Sequence, residues 1–158
     1  LLIGGLGLGF TLKAALEGLG PEAKITIAEL LPAVVEWNRN PDYGFAGPAL
    51  DDPRVELVVG DVAEVIEGRR AGFDAILLDV DNGASELTTA SNRELYQTRS
   101  LQLAKAAVRK GGCLVVWSAD NDPAFVERME RVGFTVTTER VPAYPGGKLF
   151  NFLFVGLA

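Results

Sequence analysis

The sequence has no histidine, and Cys113 is the one cysteine among its 158 residues. Without histidine there can be no Ser-His-Asp or Cys-His triad, no His-bearing metalloprotease helix and no imidazole general base. A lone cysteine excludes a disulfide framework and a Cys-rich zinc site within one chain. Long apolar runs are missing too. The opening from Leu1 to Leu12 is apolar but broken by glycines, well short of the roughly 20 residues a membrane helix needs. Positive charge is scarce: 15 Lys+Arg stand against 21 Asp+Glu, a net charge of −6. The basic residues are scattered, with short pairs such as Arg69-Arg70 and Arg109-Lys110. No basic stripe exists to track a phosphate backbone, so nucleic acid is excluded as the expected partner. Chemistry must rest on carboxylates, hydroxyls, lysine, backbone groups or a borrowed cofactor.

The chain is 48% hydrophobic and 23% charged, enough apolar material for one sizeable core, so a single domain over 1–158 is expected. It opens at Leu1, inside an apolar run, so an N-terminal segment upstream is expected. That opening lacks the basic leader and small-residue cleavage site of a signal peptide, and a cytoplasmic protein is the expectation.

Hydrophobic period alternates between strand and helix. Leu1-Leu2-Ile3 reads as a buried strand, and Leu8 to Leu19 as a helix ended by Gly20-Pro21. Lys24 to Ala28 is a second strand, followed by a helix over Pro32 to Asn38. Residues 41–53 are rich in proline and glycine and read as a loop. Val55 to Val59 is a third strand, after which Asp61 caps a short helix to about Glu67. Phe73 to Leu78 is a fourth strand and residues 80–91 a polar loop. Asn92 to Val108 reads as a long amphipathic helix closed by Lys110-Gly111-Gly112. Cys113 to Trp117 is a fifth strand, and Asp122-Pro123 starts a helix to Arg131. Phe134 to Thr138 and Leu149 to Val155 are two further strands joined without a helix, hence antiparallel. The expected fold is α/β: a doubly wound, Rossmann-like, seven-stranded and mostly parallel sheet with a C-terminal antiparallel hairpin.

Ligands of such sheets sit at the carboxyl ends of the strands. That rule selects Gly4 to Gly9, Glu29, Asp61 and Asp79 to Asn82. The loop Gly4-Gly5-Leu6-Gly7-Leu8-Gly9 does not meet the dinucleotide fingerprint, because Gly5-x-Gly7-x-x ends at Phe10. It reads G-x-G-x-G, which suits a nucleoside lying across the loop; a tight turn with close helix–strand packing is the alternative. Glu29 could accept hydrogen bonds from both ribose hydroxyls or be a solvated strand-end acid. Asp61 is an N-cap, and adenine recognition is a compatible second role. Asp79, Asp81 and Glu86 could take a proton from an amine or bind a cation, or simply make a polar loop. Asp79 stands out because it abuts the wholly apolar run Ala75-Ile76-Leu77-Leu78. Trp117 could wall a substrate pocket or only pack, and Cys113 reads as a core residue.

These residues resemble the spermidine synthase (polyamine aminopropyltransferase) family, within the class I S-adenosylmethionine-dependent methyltransferase fold. The resemblance rests on Leu2 to Leu12, Ala28-Glu29-Leu30-Leu31-Pro32, Gly60-Asp61, Phe73 to Asp79 and above all Leu50-Asp51-Asp52-Pro53-Arg54-Val55. It implies that Gly5, Gly7 and Gly9 line the nucleoside, that Glu29 holds the ribose and that Asp61 meets the adenine edge. It further implies that Asp79 orients and deprotonates an attacking amine, with Asp81 as a second anion. The donor substrate would be S-adenosylmethionine or its decarboxylated form, with no metal, no nucleic acid and no membrane involved. The acceptor would be a small amine or a methyl acceptor, and a homodimer is one assembly left open. The sequence departs from the family in four places. Leu8 replaces the Asp that holds the donor's ammonium, and Leu30-Leu31 follow Glu29 in place of Ile-Asp. Asn82 falls where a second acid belongs, and Trp117-Ser118-Ala119 replaces Gln-x-Glu. Three readings therefore stand open: aminopropyl transfer, methyl transfer to a small molecule, and a non-catalytic adenosyl-nucleoside binding domain.

Overall fold

A computed structural model describes residues 1–80, 95–144 and 146–158. Among them, seven strands, β1 (Leu2–Gly4), β2 (Ile25–Glu29), β3 (Val55–Val59), β4 (Phe73–Leu78), β5 (Val108–Ser118), β6 (Thr135–Pro142) and β7 (Phe150–Leu157), form one sheet in the order β3-β2-β1-β4-β5-β7-β6, the doubly wound arrangement with an antiparallel pair at one end. The chain divides into two compact units, Leu1–Val65 and Ile66–Ala158. No helix among the described residues is long and apolar enough to cross a membrane.

In the first unit, β1 (Leu2–Gly4), β2 (Ile25–Glu29) and β3 (Val55–Val59) run parallel, with Gly4 opposite Ala28 and Glu29 opposite Val59. All five residues of β2 are buried, as suits a strand paired on both sides. Helix α1 (Phe10–Gly18) follows β1, and α2 (Pro32–Arg39) starts with Pro32 in its first turn, where the missing N–H costs nothing. Residues 41–53, expected as loop, contain a 3₁₀ turn (Pro41–Tyr43) and the short helix α3 (Gly47–Leu50). Proline at the start of each fits a first turn as readily as a loop, and burial of Ala46 and Leu50 decides between them. Helix α4 begins at Val62 and runs to Glu67.

The string 50–55 has a structural task. Arg54 makes an ion pair with Asp52 at 3.0 Å, and its Nη1 donates to the carbonyls of Leu16 and Leu19 at 3.1 Å and of Gly20 at 3.4 Å. These are carbonyls at the end of α1, which no later helical N–H can reach.

In the second unit, β4 (Phe73–Leu78) pairs parallel with β5 (Val108–Ser118). Helix α5 (Thr98–Ala107) and helix α6 (Pro123–Arg131) accompany the antiparallel strands β6 (Thr135–Pro142) and β7 (Phe150–Leu157). Asp122 caps α6 by accepting from the Phe125 N–H at 2.9 Å. Phe125 packs edge-on against both Tyr96 and Phe154, with centroids 5.6 and 5.5 Å apart.

Boundaries differ from expectation around α5 and β5, and β6 runs past the expected Thr138 to Pro142. The helix expected from Asn92 starts at Thr98 after an extended Gln97, with residues 92–94 outside the described residues. It ends at Ala107, because Val108 already pairs with Phe73 as strand. Lys110-Gly111-Gly112 therefore closes no helix but lies within β5. There Gly111 has φ 80°, the register with β4 shifts, and Gly112 comes so close to the Asp74 carbonyl that a Cβ would collide.

Candidate functional site

The carboxyl ends of β1, β2 and β3 line up in the first unit. The Gly5 N–H donates to the Ala28 carbonyl at 2.8 Å, and the Gly60 N–H to the Glu29 carbonyl at 2.9 Å. Gly5, Glu29 and Asp61 thus lie at three adjacent strand ends, Asp61 two residues beyond Val59, the partner of Glu29.

Glu29 is buried, with 7% of its surface exposed, and both carboxylate oxygens are engaged. Oε2 accepts from the Leu6 N–H at 2.8 Å, and Oε1 accepts from the Leu31 N–H at 2.9 Å. The side chain ties the glycine loop to the turn after β2. A carboxylate oxygen has two lone-pair directions, so each still has room for one hydroxyl donor. Glu29 therefore does a structural job that sequence reading did not expect.

The glycines divide by cause. Gly5, Gly7 and Gly9 all have positive φ, at 92°, 50° and 75°. A Cβ at Gly7 would meet nothing within 4 Å, so this stretch of backbone is open to a ligand. At Gly9 a Cβ would collide with the Cβ of Ala46, and Gly9 is also the residue preceding α1. Packing and the turn account for Gly9 without any ligand. The loop has apolar neighbours: Leu8, Phe10, Leu30 and Leu31 are all exposed.

Asn38 was not singled out from sequence. It is buried, and both donors of its amide and its oxygen are engaged. Nδ2 donates to the Gly7 carbonyl and to the Val34 carbonyl, both at 2.8 Å, and Oδ1 accepts from the Ala46 N–H at 3.1 Å. One side chain thus holds the glycine loop, α2 and the entry to α3. The available signal was an asparagine falling on the inner side of a short helix beside Val34 and Val35.

Asp61 caps α4 as expected, with Oδ1 accepting from the Ala63 N–H at 2.8 Å. Its Oδ2 has no hydrogen bond among the described residues, which leaves an acceptor at the third strand end.

In the second unit, Asp79 directly follows β4 and is exposed. Asp81, Asn82 and Glu86 lie outside the described residues. Trp117 is half-buried in β5 opposite Leu153, as packing would have it. Burial pushes the Cys113 thiol above its ordinary pKa, which makes it less reactive. No group of three or more metal-ligating side chains occurs among the described residues.

No family model matches the chain. The polyamine aminopropyltransferase of Korarchaeum cryptofilum is 28% identical over 118 residues, covering 75% of this chain and 34% of that protein. That of Mycobacterium tuberculosis is 34% identical over 119 residues, 73% of this chain and 22% of its own. Putrescine N-methyltransferase 4 of Nicotiana tabacum is 34% identical over 113 residues, covering 71% and 27%. Among solved structures, a spermidine synthase in complex with the transition-state analogue AdoDATO superposes with a TM-score of 0.81 at 23% identity, over 99% of this chain and 54% of that one. Human methyltransferase-like protein 13, in complex with SAH, gives 0.71 at 20% identity, over 99% and 71%. The chain spans about a third or less of the length of the curated relatives it matches, 34%, 22% and 27% in these cases. It resembles the polyamine aminopropyltransferases in sequence, and it has the fold that spermidine synthases share with methyltransferases.

Proposed function

We propose that the chain is the donor-binding part of an aminopropyltransferase, which moves an aminopropyl group from decarboxylated S-adenosylmethionine to a small amine. The observation that carries this reading is the Glu29 carboxylate bonded beneath an open glycine loop, with Asp61 at the next strand end. In this reading Gly5 and Gly7 let the nucleoside lie against bare backbone. Glu29 accepts from the ribose hydroxyls through its remaining lone pairs, and the Asp61 Oδ2 accepts from the exocyclic amine of adenine. Gly9 lines the nucleoside with its backbone and also shapes the loop where it turns into α1.

The sulfonium donor leaves as a neutral thioether, so departure needs no proton. The amine nitrogen attacks the carbon attached to sulfur, the C–S bond breaks, and its electron pair stays on sulfur. An alkylamine of pKa near ~10 is mostly protonated at neutral pH, so its proton must be accepted first. Asp79 is the carboxylate proposed for that task, and Asp81 the anion proposed for the far ammonium of a diamine.

A second reading has its own support. Leu8 puts an apolar side chain, 44% exposed, on the loop, and the Nicotiana tabacum relative is named a putrescine N-methyltransferase. With S-adenosylmethionine as donor the same amine would receive a methyl group.

The test is calorimetric titration with methylthioadenosine, S-adenosylmethionine and decarboxylated S-adenosylmethionine, followed by a transfer assay with putrescine. Binding of methylthioadenosine with aminopropyl transfer supports the first reading. Methyl transfer moves the assignment to the second. Absence of any nucleoside binding overturns both.

A further inference from the structure

The first unit carries a second concavity that the donor reading does not use. It is an open groove of about 440 Å³ lined by α2, the 3₁₀ turn and α3, and none of residues 4–9 nor Glu29 lines it. That volume falls in the range of small-molecule sites. Pro41, Phe45 and Pro48 give it apolar walls.

Two opposite charges line the groove, Arg39 and Asp51. Among the described residues neither has an ion pair or side-chain hydrogen bond, and they do not pair with each other. The neighbouring polar groups are already used. Asp52 is held by Arg54, and the Asn38 amide is spent on Gly7, Val34 and Ala46. Asn40 Oδ1 accepts from the Asp42 N–H at 3.0 Å, which leaves its Nδ2 as a neutral donor beside Arg39. A groove with one cation, one amide donor, one anion and apolar walls matches a particular charge pattern. A diamine would meet Arg39 as a like charge, and a dicarboxylate or phosphate would meet Asp51. A zwitterion satisfies both: its carboxylate goes to the guanidinium fork and Asn40, and its ammonium to Asp51.

We propose that this groove binds an amino-acid zwitterion with an apolar side chain, at a site separate from the glycine loop. The proposal does not depend on the donor reading.

The experiment is ¹⁵N–¹H NMR titration of the intact chain with L-phenylalanine, set against phenethylamine and 3-phenylpropanoate, which each keep one of its two charges. A dissociation constant on the order of 1 mM is expected for L-phenylalanine, reasonable for so small a ligand in an open groove. Its shifts should fall on residues 39–51, and each single-charge analogue should bind about tenfold more weakly. Arg39→Gln and Asp51→Asn, both at exposed positions, should each cost a similar factor with the rest of the spectrum unchanged. Methylthioadenosine added to saturation should leave the L-phenylalanine shifts in place. No shifts at 20-fold excess over the expected constant (about 20 mM) would overturn the proposal. So would equal binding of all three probes, or displacement by methylthioadenosine, which would make the groove part of the donor site.

Discussion

The Asn38 amide nitrogen lies 2.8 Å from the Gly7 carbonyl, so a helix residue far along the chain fixes the most open glycine of the loop. The same amide closes two further hydrogen bonds while buried, and its replacement therefore has a definite sign. Asn38→Asp keeps the shape but turns an acceptor toward the Gly7 and Val34 carbonyls. We expect a loss of about 2–4 kcal/mol in urea unfolding, together with weaker methylthioadenosine binding. Asn38→Asp as stable as wild type would show that the loop holds itself.

The glycines should separate stability from binding. Gly9→Ala forces a Cβ onto that of Ala46 at a positive φ, and should cost about 2–4 kcal/mol. Gly7→Ala meets no atom, so about 1–2 kcal/mol of backbone strain is expected. Pairing Gly9→Ala with Ala46→Gly should recover part of the loss. For ligand affinity the order should reverse, with Gly7→Ala the more damaging, as read by calorimetry with methylthioadenosine. Equal unfolding midpoints for the two single variants would contradict this division.

Glu29→Gln replaces an acceptor oxygen by an amide nitrogen opposite a backbone N–H. One of the bonds to Leu6 and Leu31 must be lost, at about 1–3 kcal/mol of stability. Nucleoside affinity should fall at least tenfold, since the lost acceptor also serves the ribose. Unchanged affinity in a folded Glu29→Gln protein would remove Glu29 from the ligand site and leave it as a structural tie.

The Arg54 side chain, hydrogen-bonded to Asp52, holds that carboxyl below its ordinary range. A depressed folded-state pKa stabilises the protein above the unfolded value, near ~3.9, and that contribution is lost as pH falls through the lower folded value. The urea midpoint of wild type should therefore exceed that of Asp52→Asn at pH 7, and the gap should shrink as the pH falls through the lowered folded-state value. A gap independent of pH would mean that the pair contributes nothing through its charge.

Asp79→Asn should abolish transfer to any amine while nucleoside affinity stays within about twofold of wild type. A variant that still transfers at the wild-type rate would sink the assignment of Asp79 as proton acceptor.

Fold and loop were legible for a simple reason. Apolar runs such as Ile25 to Ala28 and Ala75 to Leu78 have one stable setting, inside a sheet, and glycines between strand and helix have few other uses. Asn38 was hard to read, because its one local signal, a place beside Val34 and Val35 on a short helix, does not reveal bonds to Gly7 and Ala46 elsewhere in the chain. The start of β5 was missed for a related reason. Val108 continues a helical period, and its pairing with Phe73 overrides it. The packing of Gly9 against Ala46 was not legible, because a missing Cβ looks the same in sequence whichever neighbour fills the space.

Arg54 bears on how relatives of this chain should be sorted. Its string, Leu50 to Val55, is the most distinctive mark of resemblance, yet the hydrogen bonds of Arg54 run to Asp52 and to the carbonyls of Leu16, Leu19 and Gly20 at the exit of α1, not to the glycine loop or the strand-end acids. A sequence needs that clasp to hold its first helix in place, whichever group it transfers. The string is therefore a marker of scaffold, and chains collected by it will include different reactions. Sorting them calls for the residues at the Leu8 and Asn82 positions instead.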